Sequence, residues 1–169
     1  IIKWIVECLI HIANLSRASN IITYPFLYLL SRGTLDGVRT SAMGKSSVDR
    51  ELWLPQDIQT VFSFFADATN LQKLTPAWLH FRVLTTPPVR IQAGALIDYR
   101  LRVRGIPLRW RSRILVWEPP FRFVDEQVHG PYRQWIHEHL FTSLRGGTLV
   151  QDKVNYAVLG GPLVDRCLV

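Results

Sequence analysis

From Ala95 onward, apolar and polar residues alternate with a period of two, the pattern of strands that bury one face. Five such runs are separated by turn residues: Leu96 to Arg104, Ile106 to Trp117, Phe121 to His129, Arg133 to Leu144 and Thr148 to Ala157. Ser47 to Leu54 alternates in the same way, and Trp78 to Thr85 reads as a shorter strand stopped by Pro87 and Pro88. Between them, Pro55 and Asp57 open a helix to about Asp67, with Ile58, Val61, Phe62 and Phe65 on one stripe. Asn70 to Leu74 reads as a second short helix. Gly160-Gly161-Pro162, followed by Leu163 to Arg166, resembles the start of a terminal helix with about two turns remaining. The order is one strand, two helices, six strands and the beginning of a helix, an α+β arrangement.

Turn chemistry suggests how the strands pair. A two-residue loop at Gly105-Ile106, with glycine at the positive-φ position of a type II′ turn, sets Arg104 opposite Pro107. Ile97, Tyr99, Leu101 and Val103 then face Ile114, Ser112, Trp110 and Leu108 on an apolar side. The other side sets Arg100 against Arg111, Arg102 against Arg109 and Asp98 against Arg113, and parity adds Trp117 to it. Like charges directly opposed are unfavourable. That side is therefore either solvated, the plainer reading, or it meets an anion such as a lipid headgroup, an acidic protein or nucleic acid.

A three-residue loop at Gly130-Pro131-Tyr132 pairs Gln127 with Trp135, Asp125 with His137 and Phe123 with His139. A two-residue turn at Arg145-Gly146 pairs His139 with Asp152 and Phe141 with Val150. One face then carries Phe123, Asp125 and Gln127 on one strand and Trp135, His137, His139 and Phe141 on the next. Val150, Asp152, Val154 and Tyr156 continue it on the third. An aromatic, apolar and sparsely polar face has the composition of a ligand-cavity lining.

Composition changes this picture little. At 169 residues and 48% hydrophobic, the chain is long enough for one domain with a sizeable core. The net charge of +7 favours anionic partners. Cys8 and Cys167 lie far apart without a CxxC spacing, which argues against a zinc ribbon or a disulfide framework and suits a reducing cytosol. The text changes character at Met43, the sole methionine. Residues 43–169 are expected to form the domain, and residues 1–42 an extension with three open readings. It is an amphipathic surface or packing helix, the end of a preceding domain, or translated upstream sequence foreign to the native protein. Neither Ile1 to Leu15 nor Ile21 to Leu30 reaches the length of uncharged chain that a membrane span requires.

His137-x-His139 admits three chemistries. With Asp125 or Asp152 it makes a two-histidine, one-carboxylate set of the kind that binds metals. Paired with aspartate in an apolar cavity, either histidine suits general acid-base catalysis. In the plainest reading, the histidines satisfy buried carboxylates and orient a ligand. The spacing alone does not argue for an ion, so neither metal nor cofactor is expected. Phosphate-binding glycine loops, a nucleophile elbow and glycosidase-type carboxylate pairs are absent from the sequence.

Several patches occur together and in order: Leu71-x-x-Leu74-Thr75-Pro76, Gly105-x-Pro107-x-x-Trp110, Trp117-x-Pro119-Pro120-x-x-Phe123-x-Asp125-x-Gln127-x-x-Gly130-Pro131-Tyr132, and Trp135-x-His137-x-His139-x-Phe141. In these the chain resembles the bacterial SRPBCC proteins, the START-like, helix-grip superfamily, and within it the polyketide cyclase/dehydrase-like subgroup. The resemblance covers about Val48 to Leu163. It implies a curved antiparallel sheet gripping a long C-terminal helix, with an apolar cavity between them, most of that helix lying beyond the end of this sequence.

It also implies a concave face bearing Tyr99, Trp110, Gln127, Trp135, His137, His139, Phe141 and Tyr156 as ligand-binding candidates. Asp125 and Asp152 join the two histidines as catalytic candidates, none with an assigned role. The expected function is binding of a hydrophobic small molecule such as a lipid, quinone or polyketide-like compound, in the cytoplasm. The alternatives are a cyclase or dehydratase working through the cavity histidines, and an interaction module. The module would dock an anionic membrane surface or acidic protein on Arg100, Arg102, Arg109 and Arg111, with nucleic acid the least favoured anion.

Overall fold

A computed structural model describes residues 39–40, 45–86, 89, 91–103 and 105–158. The terminal helix expected after Gly160 and most of the 1–42 extension lie outside these residues. The elements are β1 (Arg39–Thr40), β2 (Ser46–Leu54), α1 (Ile58–Phe65), α2 (Ala68–Leu74), a 3-10 turn (Ala77–Leu79), β3 (Arg82–Val83), β4 (Leu96–Val103), β5 (Ile106–Glu118), β6 (Arg122–His129), β7 (Tyr132–Leu144) and β8 (Gly147–Val158). They build one antiparallel sheet in the order β1-β2-β8-β7-β6-β5-β4-β3. Among the described residues the first long strand thus lies beside the last.

Asp57 starts α1 by accepting a hydrogen bond from the Thr60 backbone N–H at 2.9 Å, the usual device for satisfying an orphan helix donor. The helix stops at Phe65, two residues short of the expected end, because Asp67 caps a new helix by accepting from the Thr69 N–H at 2.8 Å. As the stripe predicts, α1 buries Val61 and Phe62. The Phe62 ring meets Trp117, Phe141 and Phe123 at 5.1, 5.2 and 5.9 Å.

The strand expected over Trp78 to Thr85 is mostly not a strand. Ala77–Leu79 is a 3-10 turn and His80 takes a left-handed conformation, φ 45°, which breaks the pleat. Only Arg82 and Val83 join the sheet, against Arg100 and Tyr99. Leu79 and Phe81 are nonetheless buried, so the alternation in sequence reports burial without a ladder.

The β4–β5 hairpin is corrected by two residues. Val103 pairs with Ile106, so the turn falls one position earlier than expected, and Gly105, φ +80°, holds its second central position instead of its first. Face assignments survive a shift of two, but partners do not. Tyr99 now faces Trp110, Arg100 faces Arg109, Arg102 faces Pro107 and Asp98 faces Arg111. A second correction concerns Trp117. A register shift between Ile114 and Val116 inserts a bulge in β5, and this turns Trp117 away from the arginines onto Phe62 and Phe123.

The hairpins β6–β7 and β7–β8 pair as the sequence predicts. Asp125 faces His137, Phe123 faces His139, His139 faces Asp152 and Phe141 faces Val150. Arg145 and Gly146, φ 52° and 73°, make the tight turn. The ladder between β6 and β7 ends at Glu126 and Ile136, so the expected Gln127–Trp135 pair does not form.

Candidate functional site

The inner face of the sheet divides into two apolar clusters. One holds Ile97, Tyr99, Leu101, Trp110, Tyr132, Trp135, Val154 and Tyr156. The other lies under α1 and holds Leu54, Val61, Phe62, Phe123, Phe141 and Val150. On β7 and β8 the inward positions pass from one cluster to the other through polar residues. Val154, Asp152 and Val150 do so on β8; Trp135, His137, His139 and Phe141 do so on β7. Strand alternation therefore lays a polar row along the seam.

Asp152, 3% exposed, is the buried end of this row. Its Oδ1 accepts from His137 Nε2 at 3.1 Å and makes an ion-pair contact with His139 Nδ1 at 2.5 Å. The two imidazoles lie against each other, centroids 3.8 Å apart, and His139 stacks on Phe123 at 4.1 Å. On their far side stands Asp125, whose Oδ2 is 3.9 Å from His137 Nδ1 and 3.8 Å from His139 Nε2. Asp125 Oδ1 accepts from Ser112 Oγ at 3.2 Å, and Ser112 Oγ accepts from Trp110 Nε1 at 3.1 Å.

Burial alone would hold His139 neutral, but the carboxylates of Asp152 and Asp125 outweigh it and raise its pKa from 6.5 to about 9. Burial would likewise raise Asp152, yet His139 and His137 hold it well below the usual carboxylate range. The Tyr99 phenol is pushed up, first by burial and then by the negative charges of Asp125 and Asp98.

The four catalytic candidates, Asp125, His137, His139 and Asp152, are thus brought together. The ligand-binding candidates are not all in one place. Tyr99, Trp110, Trp135 and Tyr156 pack in the first cluster, with Trp110 edge-on to Trp135 at 5.3 Å, whereas Phe141 belongs to the second. Gln127 is spent on the turn: its side-chain NH₂ donates to the Tyr132 carbonyl at 2.7 Å and its Oε1 accepts from the Tyr132 N–H at 3.2 Å.

Two site residues escaped the sequence reading. Ser112 was legible as an inward position but not as Asp125's donor. Arg50 lies directly across from Asp152, and its place in the alternation Val48, Arg50, Leu52 was the available signal.

On the outer face, Arg111 holds Asp98 through two hydrogen bonds of 2.7 and 3.0 Å, and Arg113 pairs with Glu126. Arg111 is therefore paired with Asp98 while remaining exposed. Arg100, Arg102 and Arg109 are exposed, and among the described residues no carboxylate forms a salt bridge with them.

A family model described as "Polyketide cyclase / dehydrase and lipid transport" matches residues 54–168, which contain every residue of the seam except Arg50. The chain belongs to this family. As a polyketide cyclase/dehydrase-type chain it also resembles solved structures. Protein CV1439 from Chromobacterium violaceum is 16% identical, with 72% of this chain and 87% of that one covered, at a TM-score of 0.58. Major latex-like protein 151 from Panax ginseng is 12% identical over 74% and 91% of the two chains, TM-score 0.55. Protein Ms6760 from Mycobacterium smegmatis is 14% identical over 78% and 83%, TM-score 0.54. At such identities the likeness is one of fold, and it places this polyketide cyclase/dehydrase-type sheet in the START-like, helix-grip class. No curated protein matches the sequence. Among the described residues no helix is long and apolar enough to cross a membrane.

Proposed function

We propose that the protein binds a hydrophobic small molecule against the inner face of its sheet, with the polar seam anchoring the molecule's oxygen-bearing end. The observation that carries this reading is the seam's construction. A fully structural ion pair would be closed off, yet Asp125 and His137 keep 16% and 14% of their side-chain surface exposed beside aromatic walls. A few placed polar groups in an apolar setting give orientation, while the walls supply most of the affinity. Family membership supports the class of ligand, but folds of this kind host many functions, so the seam residues have to carry the argument.

The test is a fluorescence titration of the purified full chain with lipid, quinone and polyketide-like probes, using its own tryptophans as reporters. Saturable one-to-one binding is expected for at least one class, weakened about tenfold, roughly 1.4 kcal/mol, in His137→Leu. Absence of saturable uptake across all three classes would overturn the reading.

His137 also favours a second reading, because its Nε2 is held by the buried Asp152 carboxylate while its Nδ1 faces the partly exposed side of the seam, the arrangement of a general base oriented by a carboxylate. On that reading the protein is a cyclase or dehydratase, and His137→Gln abolishes turnover while leaving probe affinity within about twofold.

A further inference from the structure

We propose that Asp125, His137 and His139 are the ligands of a divalent transition-metal site, with zinc the ion of choice, and that Asp152 and Ser112 orient those ligands. The distances across the seam carry the argument. Asp125 Oδ2 lies 3.8 and 3.9 Å from the nearer nitrogens of His139 and His137, and all three donor atoms fall within 4.8 Å of one another. Those separations are too long for hydrogen bonds, which lie near ~3 Å. Two ligands each ~2.1 Å from a shared ion stand about 3.4 Å apart at the tetrahedral angle and further apart as that angle opens. The gap thus has the size of an ion's coordination sphere.

The other side of each ligand supplies an independent observation. A metal-bound imidazole characteristically donates its remaining N–H to a carboxylate, which fixes tautomer and ring orientation. Here both turn that nitrogen to the same carboxylate, His137 through a hydrogen bond and His139 through an ion-pair contact. His137 turns Nδ1 toward the gap and Nε2 to Asp152, and His139 turns Nε2 toward the gap and Nδ1 to Asp152. Asp125, likewise, presents Oδ2 to the gap while Oδ1 accepts from Ser112, itself held by the Trp110 indole. Every donor atom that faces the gap belongs to a group whose opposite atom is tethered to an inward side chain of the sheet.

The donor set, two imidazoles and one carboxylate, suits zinc, iron or cobalt over calcium or magnesium. The site's composition agrees, since the carboxylates of Asp125 and Asp152 stand on either side of the two imidazoles. All three ligands sit on β6 and β7, within a continuous hydrogen-bonded ladder that resists their spreading. Three protein ligands leave at least one coordination position open, and Asp125 and His137 keep partial exposure there. Metal uptake is measured without any organic ligand, so it stands or falls separately from the ligand-binding reading.

The experiment uses the full chain stripped with a chelator and titrated calorimetrically with Zn²⁺, then with Co²⁺ to read its visible spectrum. We expect one ion per chain and a Co²⁺ spectrum without the thiolate charge-transfer band that Cys8 or Cys167 would introduce. Affinity should fall at least a hundredfold in Asp125→Asn and in His137→Gln/His139→Gln. It should fall 10- to 100-fold in Asp152→Asn, whose Co²⁺ bands shift because the imidazoles lose their tether. Circular dichroism separates these losses from unfolding. Where a variant does not fold, the wild-type stoichiometry and cobalt spectrum decide. The proposal is overturned if no saturable ion binds, if the double variant binds as wild type does, or if the thiolate band appears. Water alone in the gap of a crystal grown with excess zinc would sink it as well.

Discussion

The two faces of the same sheet use charge in opposite ways. On the outer face, Arg111 grips Asp98 through two good hydrogen bonds, yet both partners are well exposed, 47% and 39% by side chain, and water competes for each. On the inner face, Asp152 is buried and meets His139 and His137 at once. An exposed pair gains little and loses little when broken. A buried carboxylate has surrendered its hydration, so removing its partners leaves an uncompensated charge in an apolar setting. The contrast teaches that the better-looking hydrogen bonds are the less consequential ones here, and that the inner cluster persists because each member needs the others.

The most damaging way to break that contrast is Asp152→Ala, which strands His139 beside Phe123. We expect a loss of about 3 to 5 kcal/mol in urea denaturation. A loss under 1 kcal/mol would mean that the inner cluster is as solvated as the outer pair.

A pH series on chelator-treated protein gives the next largest effect. His139 has its pKa raised on folding, so its contribution is complete below its ordinary value of 6.5 and disappears as the pH climbs through about 9. Asp152 is depressed, so its contribution is complete above its ordinary 3.8 and disappears as the pH falls below that. Stability should therefore be highest between roughly pH 4 and 6.5 and decline toward pH 9. Urea midpoints in Asp152→Asn should lose that alkaline slope.

The smallest effect is expected from Asp98→Asn, below about 1 kcal/mol and reduced further in 0.5 M salt. An equal loss at low and high salt would show that Arg111 and Asp98 act through packing instead of charge.

How far these features could be read in advance depended on local turn chemistry. Arg145-Gly146 and Gly130-Pro131-Tyr132 leave little choice of loop length, and the pairing of Asp125, His137, His139 and Asp152 follows from them. Arg104-Gly105-Ile106 offers glycine to two neighbouring turn positions. Only the whole hairpin, including the Asp98–Arg111 contact, selects between them. The inward rotation of Trp117 depends on a bulge, which leaves no mark in an alternation pattern. The strand misread at Trp78 to Thr85 has the same origin, since burial of Leu79 and Phe81 alternates across a left-handed His80 as it would across a pleat. Within the site, the side chains could be placed on one face by parity. Their distances, which decide between hydrogen bonding and an ion-sized gap, depend on sheet curvature that parity does not encode.

The sheet order also governs how this chain comes off the ribosome. β2 is made early, but among the described strands its only long neighbour is β8, and Ser46 pairs with Tyr156 at the end of that ladder. Until β8 emerges, β2 lacks its long partner, apolar Val48 and Leu54 await cover, and α1 has no Val150 to pack against. The β4 to β7 meander can assemble from neighbours in sequence, whereas closure at β2 must wait for a contact of high sequence separation. Nascent chains halted before Gly147 should accordingly be the ones that chaperones hold and proteases cut.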